Sequence, residues 1–423
     1  MADTDPNLRD AGLLDELWKM RLSRRQVMQG ALAVSAGGVL ASCGFGSSGA
    51  KTVKHTNWVW TKAKKAGLLD FANWPLYIDT GTDAAGKTTY PSLEQFTQAS
   101  GIKVNYSEPI QDDPSWFAKI APSLKAGQPT GYDLMVVTNG IQMTALQANG
   151  WLTELDPSKL PNFFKYAAPR LLQRSFDPGN KFTVPWQSGF TGIGYDPNKT
   201  GREITSFEDL FDPKFAGKVG MMSGNEDTGN LTLVGMGIHP QKSTPSDWRK
   251  AAAKLKTQRD NGIVRKYYDQ SYIQALSSGE TWLSMAWSGD IFQANLSAGN
   301  DRLKFVLPKE GGLIWTDNMC IPLHAAHPVD AIDYMNFVYQ PSIAAEMASY
   351  IDYITPVPAA QALLQTQAAQ TTDAATKASI LQTANSALVF PSKAEFGQVY
   401  YYRVLNGTEV TEWNATFDAV ILS

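Results

Sequence analysis

Residues 91–137, PSLEQFTQASGIKVNYSEPIQDDPSWFAKIAPSLKAGQPTGYDLMVV, decide the architecture. Residues 91–100 and 113–126 read as helices, whereas 102–106 and 132–137 are short apolar runs with β-branched content. Helix and strand therefore alternate, the rhythm of an α/β fold with a sheet covered by helices. In the second helix Trp116, Ile120 and Leu124 recur every fourth residue and form one apolar face that packs on a sheet.

The same alternation resumes beyond Gly192. Residues 218–222, 281–287 and 303–307 read as strands and 246–259 as an amphipathic helix; 328–351 is long helical sequence interrupted near Pro341. The run 359–387 is heavy in Ala, Gln and Thr, but Ala and Gln are good helix formers and Leu363, Leu364, Ile380 and Leu381 supply apolar contacts. It is assigned to surface helices. There is no internal repeat, and the globular body starts near Leu68.

Upstream of that body the segment RLSRRQVMQGALAVSAGGVLASC, residues 21–43, places Arg24 and Arg25 just before an apolar stretch. This is the layout of a secretory signal. At about 14 residues the stretch is short of the roughly 20 needed to cross a hydrocarbon core as a helix. The tetrapeptide Leu40-Ala41-Ser42-Cys43 resembles the lipobox of bacterial lipoproteins, and Ser23-Arg24-Arg25 resembles the twin-arginine export motif. The reading is a signal peptide over 1–42 and a mature chain lipidated on Cys43, anchored by that lipid to the outer face of the cell membrane. A flexible tether over 43–67 follows, rich in Gly and Ser where it begins.

Removing the signal leaves about 380 residues, more than one core usually organises, so two domains are expected. Lys and Arg number 37 against 40 Asp and Glu, for a net charge of -3. That balance gives no support for nucleic-acid binding, which needs a basic face. If Cys43 carries lipid, Cys320 is left alone in the run Met319-Cys320-Ile321 and reads as a small buried hydrophobe. His324 and His327, beside Pro328, are a poor metal signal and read as a solvated loop. No metal and no cofactor is expected.

Several aromatics and acids fall at strand ends or turns: Trp74 and Tyr77 in NWPLYID, Trp287 and Asp290 in AWSGD, Trp315 and Asp317 in IWTD. Asp227 in GNEDTG and Tyr353 in DYITP extend the set. An aromatic in a strand is usually core, but an ionised acid beside an indole is costly to bury unless a cation pairs with it. That cation is either a protein Lys or Arg or a ligand ammonium, which an aromatic face attracts and a carboxylate hydrogen-bonds.

The runs NWPLYID, GIKVNY, YDLMVV, VPWQSGFTGIGYD, MAWSGD and LPKEGGLIWTDNMCIP, followed by ITPVP, resemble the spermidine/putrescine-binding receptors of bacterial ABC importers. The likeness extends from Leu68 to about Val357, in order and with similar spacing. It implies a two-lobed periplasmic-binding-protein fold, type II-like, whose α/β lobes close on a ligand by hinge motion. Lobe 1 comprises 68–190 plus 317–357 and lobe 2 comprises 191–316 plus 358–423, the chain crossing near Phe190 and Thr191, near Thr316 and near Val357.

Carried over position by position, the resemblance implies that Trp74 and Tyr77 form the aromatic pair of the first motif. Thr138 is a hydroxyl residue after the YDL strand. Trp287 and Trp315 flank a methylene chain, Asp317 and Asp290 receive amines, Tyr353 closes the pocket, and Asp227 is a further acid beside Glu226. Pro75-Leu76 stands where the family motif has a polar residue and an acid, and Gly140 where spermidine receptors place an aromatic. One acidic end and one more apolar end are thus expected, with a small cationic, polyamine-like ligand and an ABC permease and ATPase as partners. A monomer is expected. A receptor for another amine or an amino-acid-like solute, a sensor lipoprotein, and a secreted hydrolase working through paired carboxylates are the other readings; the last lacks a hydrolase motif.

Overall fold

The computed structural model describes residues 58–422 except Gln173. The expected signal peptide, Cys43 and tether residues up to 57 lie outside the described residues. In chain order the strands are β1 (Leu68–Ala72), β2 (Gly81–Thr82), β3 (Thr88–Thr89), β4 (Lys103–Ser107), β5 (Leu134–Thr138) and β6 (Thr183–Tyr195). They continue as β7 (Val219–Met222), β8 (Val264–Tyr268), β9 (Leu283–Trp287), β10 (Lys304–Val306), β11 (Gly312–Cys320) and β12 (Val399–Tyr401). β2 and β3 pair separately; the others share one sheet in the order β4-β1-β5-β11-β6-β9-β7-β8, with β10 on β6 and β12 on β11.

Two parallel groups make up this sheet. β1 pairs with β4 and β5 in parallel, and β7 pairs with β8 and β9 in parallel. Parallel neighbours need crossover connections, which the expected helices supply: Pro91–Ser100 leads to β4 and Asp113–Lys125 links β4 to β5. The face of Trp116, Ile120 and Leu124 is buried, with Met135 and Val137 of β5 in the same apolar cluster.

The two groups are joined by β6 and β11, the longest strands, which are antiparallel to each other and buried throughout. The lower part of β11, Asp317 to Cys320, pairs with β5. The upper part of β6, Thr191 to Tyr195, pairs with β9. Between these halves the β6–β11 register slips at Asp317/Asn318, where Asn318 faces Pro185 and Asp317 faces Gln187. Pro185 has no amide hydrogen to give to a ladder, so the irregularity falls where the strand can least sustain regular pairing.

Three expectations need correction. Residues 58–67 were assigned to the tether, yet Trp58–Lys62 is a helix, Trp60 Nε1 donates to the Glu154 carbonyl at 2.7 Å, and the Ala66 and Gly67 amides donate to Asp330 at 2.8 and 2.7 Å. Asp330 is fully buried, and these amides satisfy its carboxylate. Residues 358–423 were assigned wholly to lobe 2, but the helices Ala360–Gln370 and Ala374–Ala384 pack on Pro341–Ile351, and only β12 and the last helix, Gly407–Ile421, join β11 and the helices after β7. Leu364 and Ile380 are fully buried in that packing, whereas the Ala/Gln composition of 359–387 says nothing about which partner they choose. The third is His327, expected in a solvated loop: its amide and Nδ1 both meet Asp133 at 2.8 Å, with Asp70 beside them.

Candidate ligand-binding site

In open α/β sheets ligands bind beyond the carboxyl ends of parallel strands, where the connections diverge. Trp74 and Tyr77 follow β1, Thr138 ends β5, Asp227 follows β7, and Trp287 ends β9 with Asp290 just after it. The sequence thus places most of its candidates at one kind of position. Trp315 and Asp317 come instead from the middle of β11, at the junction of the two groups.

Each carboxylate sits in a cage of neutral donors. Asp317 accepts from Tyr77 Oη and Thr138 Oγ1, both at 2.6 Å. Asp290 accepts from Tyr353 Oη at 2.6 Å and Tyr272 Oη at 2.8 Å. Asp227 accepts from Thr191 Oγ1 at 2.6 Å, Tyr402 Oη at 2.7 Å and Trp287 Nε1 at 3.2 Å. Asp227 and Asp290 each lie in the first turn of a helix, Asn225–Gly235 and Ser288–Ala298, where the macrodipole favours a carboxylate.

The aromatics form one continuous run of ring contacts. Tyr77 meets Tyr353 edge-on at 5.6 Å between centroids, Tyr353 meets Trp315 at 5.5 Å, Trp315 meets Trp287 at 6.1 Å and Trp287 meets Tyr272 at 6.0 Å. Trp315 Nε1 donates to Thr191 Oγ1 at 3.1 Å, and that hydroxyl donates to Asp227, tying β11 through β6 to the helix after β7. Two glycines make room for the rings. A Cβ on Gly189 would lie 2.3 Å from the Trp315 indole, and one on Gly289 would lie 2.4 Å from the Tyr353 ring.

Trp74 is placed differently. Its Nε1 donates to the Val136 carbonyl at 3.1 Å, and among the described ring contacts it is not in the Tyr77-to-Tyr272 series. Asp227, not its neighbour Glu226, meets Trp287. Glu226 turns to the start of the helix Ile141–Ala148, where it accepts from the Ile141 amide at 3.0 Å. A Cβ on Gly140 would stand 2.7 Å from the Glu226 carboxylate, so the place of the family's aromatic is filled by an acid from across the site. Leu76 is about half exposed, with φ of 57°.

Among the described residues no Lys, Arg or His forms an ion pair with Asp227, Asp290 or Asp317, and burial is the leading cause that raises all three. Asp317 is pushed up to about 6; two partly buried acids, Glu226 and Asp113, of which sequence reasoning missed Asp113, are pushed up to about 8 by loss of water around them. The acids also repel: Asp227 raises Asp317, Asp317 raises Asp113, and Asp113 raises Glu226. The expectation of a single acidic end is therefore corrected, because three buried carboxyls and two half-buried ones, Asp113 and Glu226, share this region even though Leu76 replaces one. Thr191, Tyr272 and Tyr402 were also missed; Thr191 lay within the quoted GFTGIGYD run, but nothing in the sequence near Tyr272 or Tyr402 announces them.

Comparison with known proteins identifies the family. A relative from Salmonella typhimurium, a spermidine/putrescine-binding periplasmic protein, is 32% identical over 302 residues, covering 71% of this chain and 81% of its own length. A putrescine/cadaverine-binding protein of Pseudomonas aeruginosa is 28% identical, covering 75% and 88%. Among solved structures, the spermidine/putrescine ABC transporter substrate-binding protein of Streptococcus pneumoniae superposes with a TM-score of 0.66 at 23% identity, covering 84% of this chain and 98% of that one. A lipoprotein of Treponema pallidum superposes with a TM-score of 0.67 at 18% identity, covering 84% and all of that chain. The sequence profile described as bacterial extracellular solute-binding protein matches residues 92–378. With its two parallel strand groups joined through β6 and β11, the chain belongs to the bacterial extracellular solute-binding protein family.

Proposed function

We propose that this chain is the receptor of an ABC importer and captures a polyamine of the putrescine or spermidine class between its two strand groups. The observation that carries the reading is that Asp227, Asp290 and Asp317 are buried beside Trp287, Trp315 and Tyr353 with only neutral partners. A carboxylate has about four lone-pair sites. Asp317 accepts two bonds from protein, leaving capacity for an ammonium group. Two cation–aromatic contacts at about 2 kcal/mol each and two charge-assisted bonds at about 1.5–3 kcal/mol each give roughly 7 to 10 kcal/mol gross. Micromolar binding needs about 8 kcal/mol, so the cleft must close dry around the ligand.

In this reading Asp317, with Tyr77 and Thr138, receives one amine; Asp227 and Asp290 receive the other; Trp287 and Trp315 flank the methylene chain, Tyr353 closes the pocket, and Trp74 borders it. The strand groups move as lobes about the crossings near Phe190 and Thr191, near Thr316 and near Val357. The relatives named for polyamines support this ligand class. Calorimetry with putrescine, spermidine, cadaverine and agmatine tests it: micromolar binding of at least one is expected, and no binding at millimolar concentration would remove the polyamine assignment.

The anchor is proposed on Leu40-Ala41-Ser42-Cys43, with export through the Arg24-Arg25 signal. Lipid on Cys43 holds the receptor near its permease. Fractionation of cells making the protein with Cys43→Ser should move it from membrane to soluble fraction; retention in the membrane would refute the anchor.

A further inference from the structure

Beside the acid cluster lies a cavity of opposite character, about 240 Å³, whose lining includes Arg170, Arg174, Tyr401, Tyr402 and Arg403. It is far larger than the ~10–15 Å³ that admits one water. Arg403 is neutralised by Glu409 at 2.6 Å. Arg170 and Arg174 have no carboxylate partner among the described residues.

Arg174 is only 5% exposed, and its Nη1 donates to the Tyr401 hydroxyl at 3.0 Å. The Arg170 guanidinium stacks on Phe396 at 4.3 Å from the ring centroid. Its Nε and Nη2, buried, have no hydrogen-bond partner. Those two nitrogens are shielded from solvent, so Arg170 meets the cavity as an uncompensated charge beside the guanidinium of Arg174. Burial, joined by repulsion from Arg174, lowers Arg170 to about 10. A buried and a half-buried guanidinium side by side without a carboxylate partner are costly in a protein, and an anion between them relieves the repulsion.

We infer that this cavity is a binding site for a small soluble oxyanion, a phosphate or a carboxylate, held by the paired charges of Arg170 and Arg174. Thr144 and Ser175 on the wall supply further hydroxyl donors. The inference does not depend on the polyamine reading, although Gly140 and Tyr402 are walls shared with the acid cluster through Glu226 and Asp227. Anion and amine would sit on opposite sides of these residues.

The test uses the purified mature chain without polyamine, titrated with inorganic phosphate and with succinate, each against sodium chloride at matched ionic strength. Saturable thermal stabilisation by phosphate or succinate, absent with chloride, is expected. Arg170→Gln should weaken it at least tenfold; Arg170→Lys, which keeps charge but not the fork, should weaken it less. Because the Arg170 variants also lose stacking on Phe396, Tyr401→Phe serves as a second probe: it keeps the ring, frees Arg174 from its hydroxyl and should weaken binding several-fold. Equal effects of chloride and phosphate, or unchanged binding in both Arg170→Gln and Tyr401→Phe, would overturn the inference, whatever the outcome with polyamines.

Discussion

The hydroxyl of Tyr353 donates to Asp290 at 2.6 Å, joining the segment after the helix Pro341–Ile351 to the first turn of the helix after β9. The same tyrosine packs on Tyr77 and Trp315 and lies over Gly289. One residue therefore links both strand groups to the carboxylates between them, and the predictions below follow from that closed, acidic arrangement.

Asp317→Asn should weaken a polyamine about ten- to a hundred-fold, the value of one charge-assisted bond of about 1.5–3 kcal/mol. Because burial disfavours the charged form of Asp317, the ligand-free variant at pH 8 should be as stable as the wild type or more so. Calorimetry paired with denaturant unfolding separates the two effects. A loss of stability with unchanged affinity would make Asp317 a structural acid.

Ligand-free stability should fall as pH rises from about 4 to 8. A carboxyl whose folded pKa lies above its unfolded value of about 4 binds more protons in the folded state between the two. The stability it contributes is complete below the unfolded value and is lost as pH climbs through the folded one, which is about 8 for Asp113 and Glu226 and about 6 for Asp317. A cation entering the site favours the ionised carboxyls, so affinity should rise over pH 6 to 8 with release of protons. Calorimetry at pH 7 in buffers of different ionisation enthalpy measures that release.

Gly189→Ala should destabilise the fold by about 1–3 kcal/mol, the usual range for overpacking a filled core. Its methyl would lie 2.3 Å from the Trp315 indole, on strands whose backbones are fixed by the β6–β11 ladder. Trp315 must shift, so polyamine affinity should fall with stability. Denaturant unfolding and tryptophan fluorescence report the two changes, and a variant with wild-type values for both would show that the indole has room.

Asp330→Ala should release residues 58–67 while leaving the ligand site intact. It removes the acceptor for the Ala66 and Gly67 amides, and none of these residues bonds to Asp227, Asp290 or Asp317. Hydrogen exchange at these two amides should accelerate at least tenfold with polyamine affinity unchanged. Protection that persists would mean that Trp60 and its bond to Glu154 hold the segment unaided.

By itself the sequence determined the elements and the kind of chemistry. Alternation of apolar runs and amphipathic helices over 91–137 gave the α/β architecture, because period-two and period-3.6 patterns are local. Acids next to tryptophans in AWSGD and IWTD signalled a site, because burying such a carboxylate demands a partner. Only the tertiary structure decided how those residues meet. Tyr402 and Asp227 lie 175 positions apart and Tyr77 and Asp317 lie 240 apart, and no local pattern encodes a hydrogen bond across such distances. Nor does any local pattern at Gly140 encode the Glu226 carboxylate that fills the space where the family has an aromatic. The packing of residues 360–384, the docking of 58–67 and the unpaired Arg170 beside Arg174 likewise depend on which surfaces face one another, a property of the folded chain rather than of any segment.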